Sequence, residues 1–162
     1  SKLIMKAFKI LIATVVLSAF TLTSCSNDDD NVQVPTSIVG KWNFSLDVTQ
    51  TNVGTSVGPE VIVEYADDVQ GCNRNYLEFT SAMTVKKSVF FKNAQGNCEE
   101  SSNNGTYTKS SDVLNINLPG DNNYNGTFTI TKLNSTQLSL ERKIVDGDVT
   151  VIRTRLLTKA VN

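Results

Sequence analysis

The sequence predicts an all-β domain, an antiparallel up-and-down meander that closes into a barrel of about eight strands. From residue 38 onward, apolar and polar residues alternate with period two, and no stretch of useful length has the 3.6-residue period of a helix. Polar clusters rich in Gly, Asn and Asp separate the alternating stretches. Two near copies, NGTYT at 104–108 and NGTFT at 125–129, each lead into a similar hairpin, which favours up-and-down connections.

Nine alternating stretches follow one another along the chain. The apolar positions that define them fall at 42–48, 61–65, 77–79, 85–91, around 107, and at 114–118, 128–130, 138–140 and 149–157. The polar clusters expected to form turns are 54–59, 93–105, 119–126 and 146–148. Short strands joined in this way are typical of a barrel or a sandwich, and the repeated hairpin favours the barrel.

Residues 1–24 are expected to be a secretory signal peptide. Lys2, Lys6 and Lys9 form a basic start, and the apolar run 10–22 follows them. At about 1.5 Å rise per residue this run reaches only ~20 Å, which is short of the ~30 Å hydrocarbon core of a membrane. The run therefore has the character of a signal-peptide core rather than of a permanent transmembrane helix.

The signal ends in Leu22-Thr23-Ser24-Cys25, which resembles the bacterial lipobox. The resemblance implies that Cys25 is lipidated and becomes the first residue of the mature protein; the alternative is an ordinary signal peptide with an incidental cysteine. Residues 26–30 are polar and acidic, and the stretch continues loosely to Pro35, so residues 25–37 are expected to form a flexible tether. An acidic run at this position also resembles the surface-export signal of some Gram-negative lipoproteins. The expected location is the outer membrane, on its periplasmic or cell-surface face.

The chain contains three cysteines, an odd number for an exported protein. Assigning Cys25 to the lipid leaves Cys72 and Cys98 as a pair. Because the expected compartment is oxidising, we predict a structural disulfide between them.

Composition argues against several classes of function. The net charge is −1 and there is no basic patch, so no nucleic-acid partner is expected. The chain has no histidine, which removes the usual general base and the usual zinc ligand. Residues 121–126 match the first half of a calcium-binding EF-hand loop, but Lys132 stands where that loop needs a glutamate. We therefore expect no catalytic residues, no metal and no cofactor.

The segment Gly40-Lys41-Trp42, which opens the first predicted strand, resembles the lipocalin signature. In that family the tryptophan packs at the closed end of the barrel, and a cation from the last strand lies across its face. The resemblance implies that Arg153 or Arg155, which share one face of the last strand, fills this role. Together with the lipobox, the tether and the paired cysteines, the whole pattern is similar to the lipocalin-like domain of small Gram-negative outer-membrane lipoproteins, here spanning residues 38–162.

The barrel interior is the candidate binding site. An eight-stranded barrel is just wide enough to be filled by side chains or to hold one small ligand. The expected function is non-catalytic binding of a small apolar or amphipathic molecule. The alternative is a surface module that binds protein or glycan through its loops and has a solid core. The candidate lining residues are Phe44, Leu46, Tyr65, Leu77, Phe79, Phe91, Tyr107, Phe128 and Ile130.

Overall fold

A computed structural model describes residues 37–65 and 71–161. Over these residues the protein consists of strands and turns, with no helix. The strands are β1 (Gly40–Val53), β2 (Glu60–Glu64), β3 (Tyr76–Phe79), β4 (Thr84–Lys92), β5 (Cys98–Ser110), β6 (Val113–Asn117), β7 (Gly126–Leu133), β8 (Gln137–Asp146) and β9 (Val149–Lys159). Each predicted strand is therefore present.

The strands form one antiparallel sheet that closes on itself. Neighbours pair in chain order from β3 to β9, and β1 joins the two ends by pairing with both β3 and β9. β2 and β3 lie along the same side of β1, β2 beside residues 46–50 and β3 beside residues 40–43. Nine strands thus occupy eight positions around the barrel, which confirms the predicted up-and-down barrel.

A β-bulge at Ser45 changes which side chains of β1 face the interior. Phe44 pairs with Leu157 and Leu46 pairs with Leu156, so Ser45 is an extra residue in β1. Before the bulge Trp42 and Phe44 point inward; beyond it Asp47 and Thr49 do so, and both line the interior cavity described below. The alternation in the sequence therefore changes phase at this point.

The half of the barrel around Trp42 is solid. Its side chains come from all parts of the meander and are packed without contact with solvent; the most deeply buried are Trp42, Leu77, Phe79, Val85, Leu114, Leu118, Phe128, Leu138, Leu140 and Leu157. Ile38 packs under this cluster, and its carbonyl accepts a hydrogen bond from Trp42 Nε1 at 2.7 Å. The chain therefore enters the barrel at its closed end.

One predicted turn is wrong. The polar segment 93–105 is a turn only as far as Asn97, because β5 begins at Cys98 and pairs with β4 from Cys98 to Thr106. The first part of β5, residues 98–105, carries almost only polar side chains on both faces. It shows no period-two pattern for that reason, although each of its residues pairs with β4.

The predicted signal peptide, Cys25 and nearly all of the predicted tether fall on residues 1–36, outside the described residues. Within 37–65 and 71–161, the structure contains no helix of the length and apolarity that crossing a membrane requires.

Candidate functional site

A cavity of about 330 Å³ occupies the half of the barrel away from Trp42 and is partly open to solvent. It lies above the solid core, and Phe44 forms the boundary between them. The side chains that line it come from β1, β2, β4, β9 and the turns after β2 and β6; they are Phe44, Asp47, Thr49, Val63, Tyr65, Asn75, Lys87, Val89, Asn123, Tyr124, Arg153 and Arg155.

Arg155 is the most buried charged side chain of the cavity, with only 4% of its surface exposed. It lies on β9 between Asp47 on β1 and Leu140 on β8. Its guanidinium carbon lies 4.3 Å from the centroid of the Tyr124 ring. Because a guanidinium stacks through its face, this contact holds the group in place and leaves its in-plane N–H groups for acceptors.

Asp47 is the carboxylate in the cavity wall. Its Oδ2 lies 3.7 Å from Arg155 Nε and accepts a hydrogen bond from the Tyr65 hydroxyl at 3.0 Å. Burial, followed by the negative charge of Asp47, raises the pKa of Tyr65 to about 12. Burial also raises the pKa of Tyr124 well above its usual range. Both tyrosines are therefore neutral where they line the cavity.

The turn after β6 carries Tyr124 into the barrel. Asp121 shapes it by accepting hydrogen bonds from the backbone N–H of Asn123 at 3.0 Å and of Tyr124 at 2.9 Å. The same carboxylate pairs with Lys87, whose ammonium lies 4.8 Å from the centroid of the Tyr124 ring. Tyr124 also stacks on Phe44, with ring planes 5° apart. A turn that resembles half of a calcium loop is thus held by an ion pair and backbone hydrogen bonds.

The charge in the cavity wall is predominantly positive. Among the described residues, Lys87, Arg153 and Arg155 line it, against one carboxylate, Asp47. Lys87 is paired with Asp121. Arg153 is partly exposed, and its contact with the described side chains is a long one, to Asn123 Oδ1 at 3.5 Å. The electrostatic field in such a cleft favours anions.

The closed end is built around Trp42 and Lys159, which lie directly opposite each other on β1 and β9. The Lys159 ammonium is 4.3 Å from the Trp42 ring centroid and donates to the Val39 carbonyl at 2.6 Å. Gly40 makes this possible: a Cβ there would lie 2.2 Å from Lys159 Nζ, and the backbone has φ +127°, which disfavours other residues.

The expectation that Arg153 or Arg155 lies across Trp42 is wrong. Both share the inward face of β9 with Lys159. Arg155 precedes Lys159 by four residues, which at ~3.3 Å per residue places it about 13 Å along the strand from the lysine, towards the cavity. Lys159 takes the position instead, and the two arginines belong to the cavity.

A family model described as the lipocalin-like domain matches residues 38–140. The chain belongs to the lipocalin-like family. Solved structures with a similar fold include a lipocalin-like protein from Bacteroides uniformis, which is 17% identical, with 75% of this chain and 97% of that chain covered and a TM-score of 0.43. Bovine odorant binding protein, as a deswapped triple mutant, is 21% identical, with 76% and 74% covered and a TM-score of 0.37.

Lobster apocrustacyanin A1 is 13% identical to the chain, with 82% of this chain and 66% of that chain covered and a TM-score of 0.44. None of the curated proteins compared with the chain matches it.

The candidate lining residues fall into three groups in this lipocalin-like barrel. Phe44 and Tyr65 line the cavity. The solid half contains Leu77, Phe79, Tyr107 and Phe128, and Ile130 packs against it while partly exposed. Leu46 and Phe91 do not line the cavity: the bulge at Ser45 turns Leu46 outward, and Phe91, near the end of β4, is 42% exposed.

Several residues that line the cavity were not predicted from the sequence to do so, because their side chains are polar. Lys87 alternates in step with Val85 and Val89, and Arg155 with Leu157. Because residues two apart on a strand face the same side of the sheet, this alternation could have predicted that the side chains of Lys87 and Arg155 face the interior. No such signal exists for Asp47, because the bulge reverses the parity, or for Tyr124, which reaches the cavity from a turn.

The predicted disulfide joins Cys72 to Cys98, with a Cα–Cα distance of 5.6 Å. It links the segment before β3 to the first residue of β5. Cys72 is buried with Tyr76 and Phe90 in a small cluster separate from the main core. The disulfide is thus a structural bond outside the cavity.

Proposed function

We propose that the protein is a membrane-anchored lipoprotein whose lipocalin-like barrel binds one small amphipathic molecule without catalysing a reaction. The cavity carries the proposal. At about 330 Å³ it lies at the lower end of the ~300–1,000 Å³ range of small-molecule sites. It combines an apolar wall from Phe44, Val63 and Val89 with convergent polar and charged side chains, a composition that can orient an amphipathic ligand.

The anchor is supported by the cysteines. The disulfide uses Cys72 and Cys98, and Cys25 is the remaining cysteine of the three in the chain. Its lipobox and the acidic residues after it support lipidation of Cys25 and a place at the outer membrane, on the periplasmic or cell-surface face. A surface-interaction module with a filled interior is the less favoured function, because the interior contains a cavity of about 330 Å³.

Native mass spectrometry of the protein purified from membranes tests the binding function. We expect a co-purifying mass of a small lipid-like molecule at one per protein. Val89→Trp places a large ring in the cavity wall and should abolish this mass, whereas Val57→Trp, on a loop where the valine is 73% exposed, should retain it. Repeated absence of a bound mass from the unmodified protein would contradict the proposal.

Mass spectrometry of the N-terminal peptide tests the anchor separately. With the full chain expressed in a Gram-negative host, Cys25 should be the first residue and should carry a diacylglyceryl group. Cys25→Ser should leave the protein without lipid and release it from the membrane. An unmodified Cys25 thiol in the native membrane fraction would contradict lipidation.

A further inference from the structure

Arg155 has hydrogen-bonding capacity that the protein does not use. Its Nε and Nη1 are buried and have no hydrogen-bond acceptor within the described part of the chain. A buried guanidinium left in this state is costly, because the water that it loses is not replaced by protein acceptors. Proteins keep such a group when something else supplies the acceptor.

Asp47 does not supply the hydrogen-bond acceptor that Arg155 lacks. The 3.7 Å between Asp47 Oδ2 and Arg155 Nε is an ion-pair distance, longer than the 2.7–3.2 Å of an N–H···O hydrogen bond. That oxygen already accepts a hydrogen bond from Tyr65. Asp47 therefore offsets part of the charge of Arg155 without satisfying its N–H groups.

We propose that Arg155 binds the carboxylate of an amphipathic monocarboxylate ligand held in the cavity. The inference deepens the proposed function and rests on it. A carboxylate is the acceptor whose geometry a guanidinium fits best, and a charge-assisted hydrogen bond is strongest in a site screened from water. Phe44, Val63 and Val89 provide the apolar wall for the rest of the molecule.

Two further cations support an anionic ligand. Arg153 lies two residues from Arg155 on the same inward face of β9 and nearer the open end, where it is placed to attract an anion. Lys87 stands on the opposite wall, on β4. Among the described lining residues Asp47 is the one carboxylate, so a monoanion makes this part of the lining more nearly neutral, whereas a cationic ligand would add to its positive charge.

Calorimetric titration with decanoate and with decanol, which share one chain length and differ in charge, tests the proposal. The unmodified protein should bind both and should bind decanoate more tightly. Arg155→Gln should weaken decanoate binding by about 10- to 100-fold, as expected for loss of a hydrogen-bonded charge, and should leave decanol binding nearly unchanged. Lys143→Gln, which removes one positive charge from the exposed part of β8, should affect neither probe.

A second measurement does not depend on the folding of the variant. In the unmodified protein, the side-chain NMR signal of the Arg155 Nε–H should shift on addition of decanoate and remain in place with decanol. Decanoate binding that is unaffected by Arg155→Gln, or an Arg155 signal that decanoate does not move, overturns the inference while leaving the proposed function in place. Failure of both probes to bind the unmodified protein overturns both.

Discussion

Lys159 links the closed end of the barrel to the start of the chain. Its ammonium lies over Trp42 and is hydrogen-bonded to the Val39 carbonyl, and partial burial lowers its pKa. The aromatic ring and the carbonyl thus replace some of the water that the charge has lost. Gly40 belongs to the same arrangement, since its missing side chain leaves the space that the lysine occupies.

Replacing Lys159 with methionine should lower the free energy of unfolding by about 1–2 kcal/mol, from loss of the cation–π contact and one hydrogen bond. Methionine keeps the apolar stem, so packing over Trp42 is largely retained. Urea denaturation measures the change, with Lys143→Met on an exposed site as the matched control. Equal stabilities of the two variants would show that the ammonium contributes nothing.

Asp121 makes the stability of the open half depend on pH. Burial acts to raise the pKa of Asp121, but hydrogen bonds from Lys87 and from the backbone of Tyr124 and Asn123 outweigh it, and the pKa is lowered from 3.8. A carboxyl whose pKa is lower in the folded state stabilises the protein above its unfolded pKa, and this contribution is lost as the pH falls through the folded pKa.

Asp121→Asn should therefore reduce stability at neutral pH by about 1–3 kcal/mol, the range for hydrogen bonds to a charged group. The difference from the unmodified protein should begin to shrink below about pH 4, where the aspartate of the unfolded chain becomes protonated, and should be lost as the pH falls through the lower pKa of the folded state. Urea denaturation at a series of pH values measures it. A difference of the same size at all pH values would show that the charge of Asp121 has no stabilising role.

At the level of elements, alternation predicted strands wherever one face is apolar. The strands around Leu114 to Leu118 and around Leu138 to Leu140 were located correctly because their inward residues pack in the core. The start of β5 was not located correctly, because its residues are polar on both faces and only their backbone pairing with β4 makes them a strand. The bulge at Ser45 could not be predicted either, since one extra residue reverses the inward face without changing composition.

The disulfide should contribute substantially to stability. Cys72 and Cys98 are 26 residues apart in sequence, and closing a loop of that length stabilises by about 3–4 kcal/mol on the chain-entropy model. Replacing both cysteines with alanine should lower the free energy of unfolding by about this amount. Urea denaturation with and without reductant measures it: reductant should weaken the unmodified protein and have no effect on the double variant.

The whole molecule is divided into a solid half and a half with a cavity, and the two should respond differently to truncation. Leu138 is fully buried in the solid half, so Leu138→Ala should cost about 2–5 kcal/mol. Val89 faces a space that already exists, so Val89→Ala should cost under about 1.5 kcal/mol, since little new cavity is created. Chemical denaturation of both variants measures the contrast. Similar losses would show that the cavity is closed in solution.

At this scale the sequence predicted the barrel and its eight positions, because these follow from patterning and strand number. The chemistry of the interior was not predicted. An apolar lining was expected, yet the cavity wall contains Asp47, Lys87 and Arg155. Their burial depends on partners from distant strands and turns, and no local pattern records those contacts.

The described chain begins and ends at the closed pole. Ile38 packs beneath Trp42, and the Ala160 amide donates to the Lys41 carbonyl at 2.9 Å. The mouth of the cavity is at the opposite pole, between the turns that precede β5, β7 and β9. Coupling of the barrel to a solid support through either end should therefore leave the mouth facing the solution. A sensor surface made in this way would present every molecule in the orientation that admits ligand.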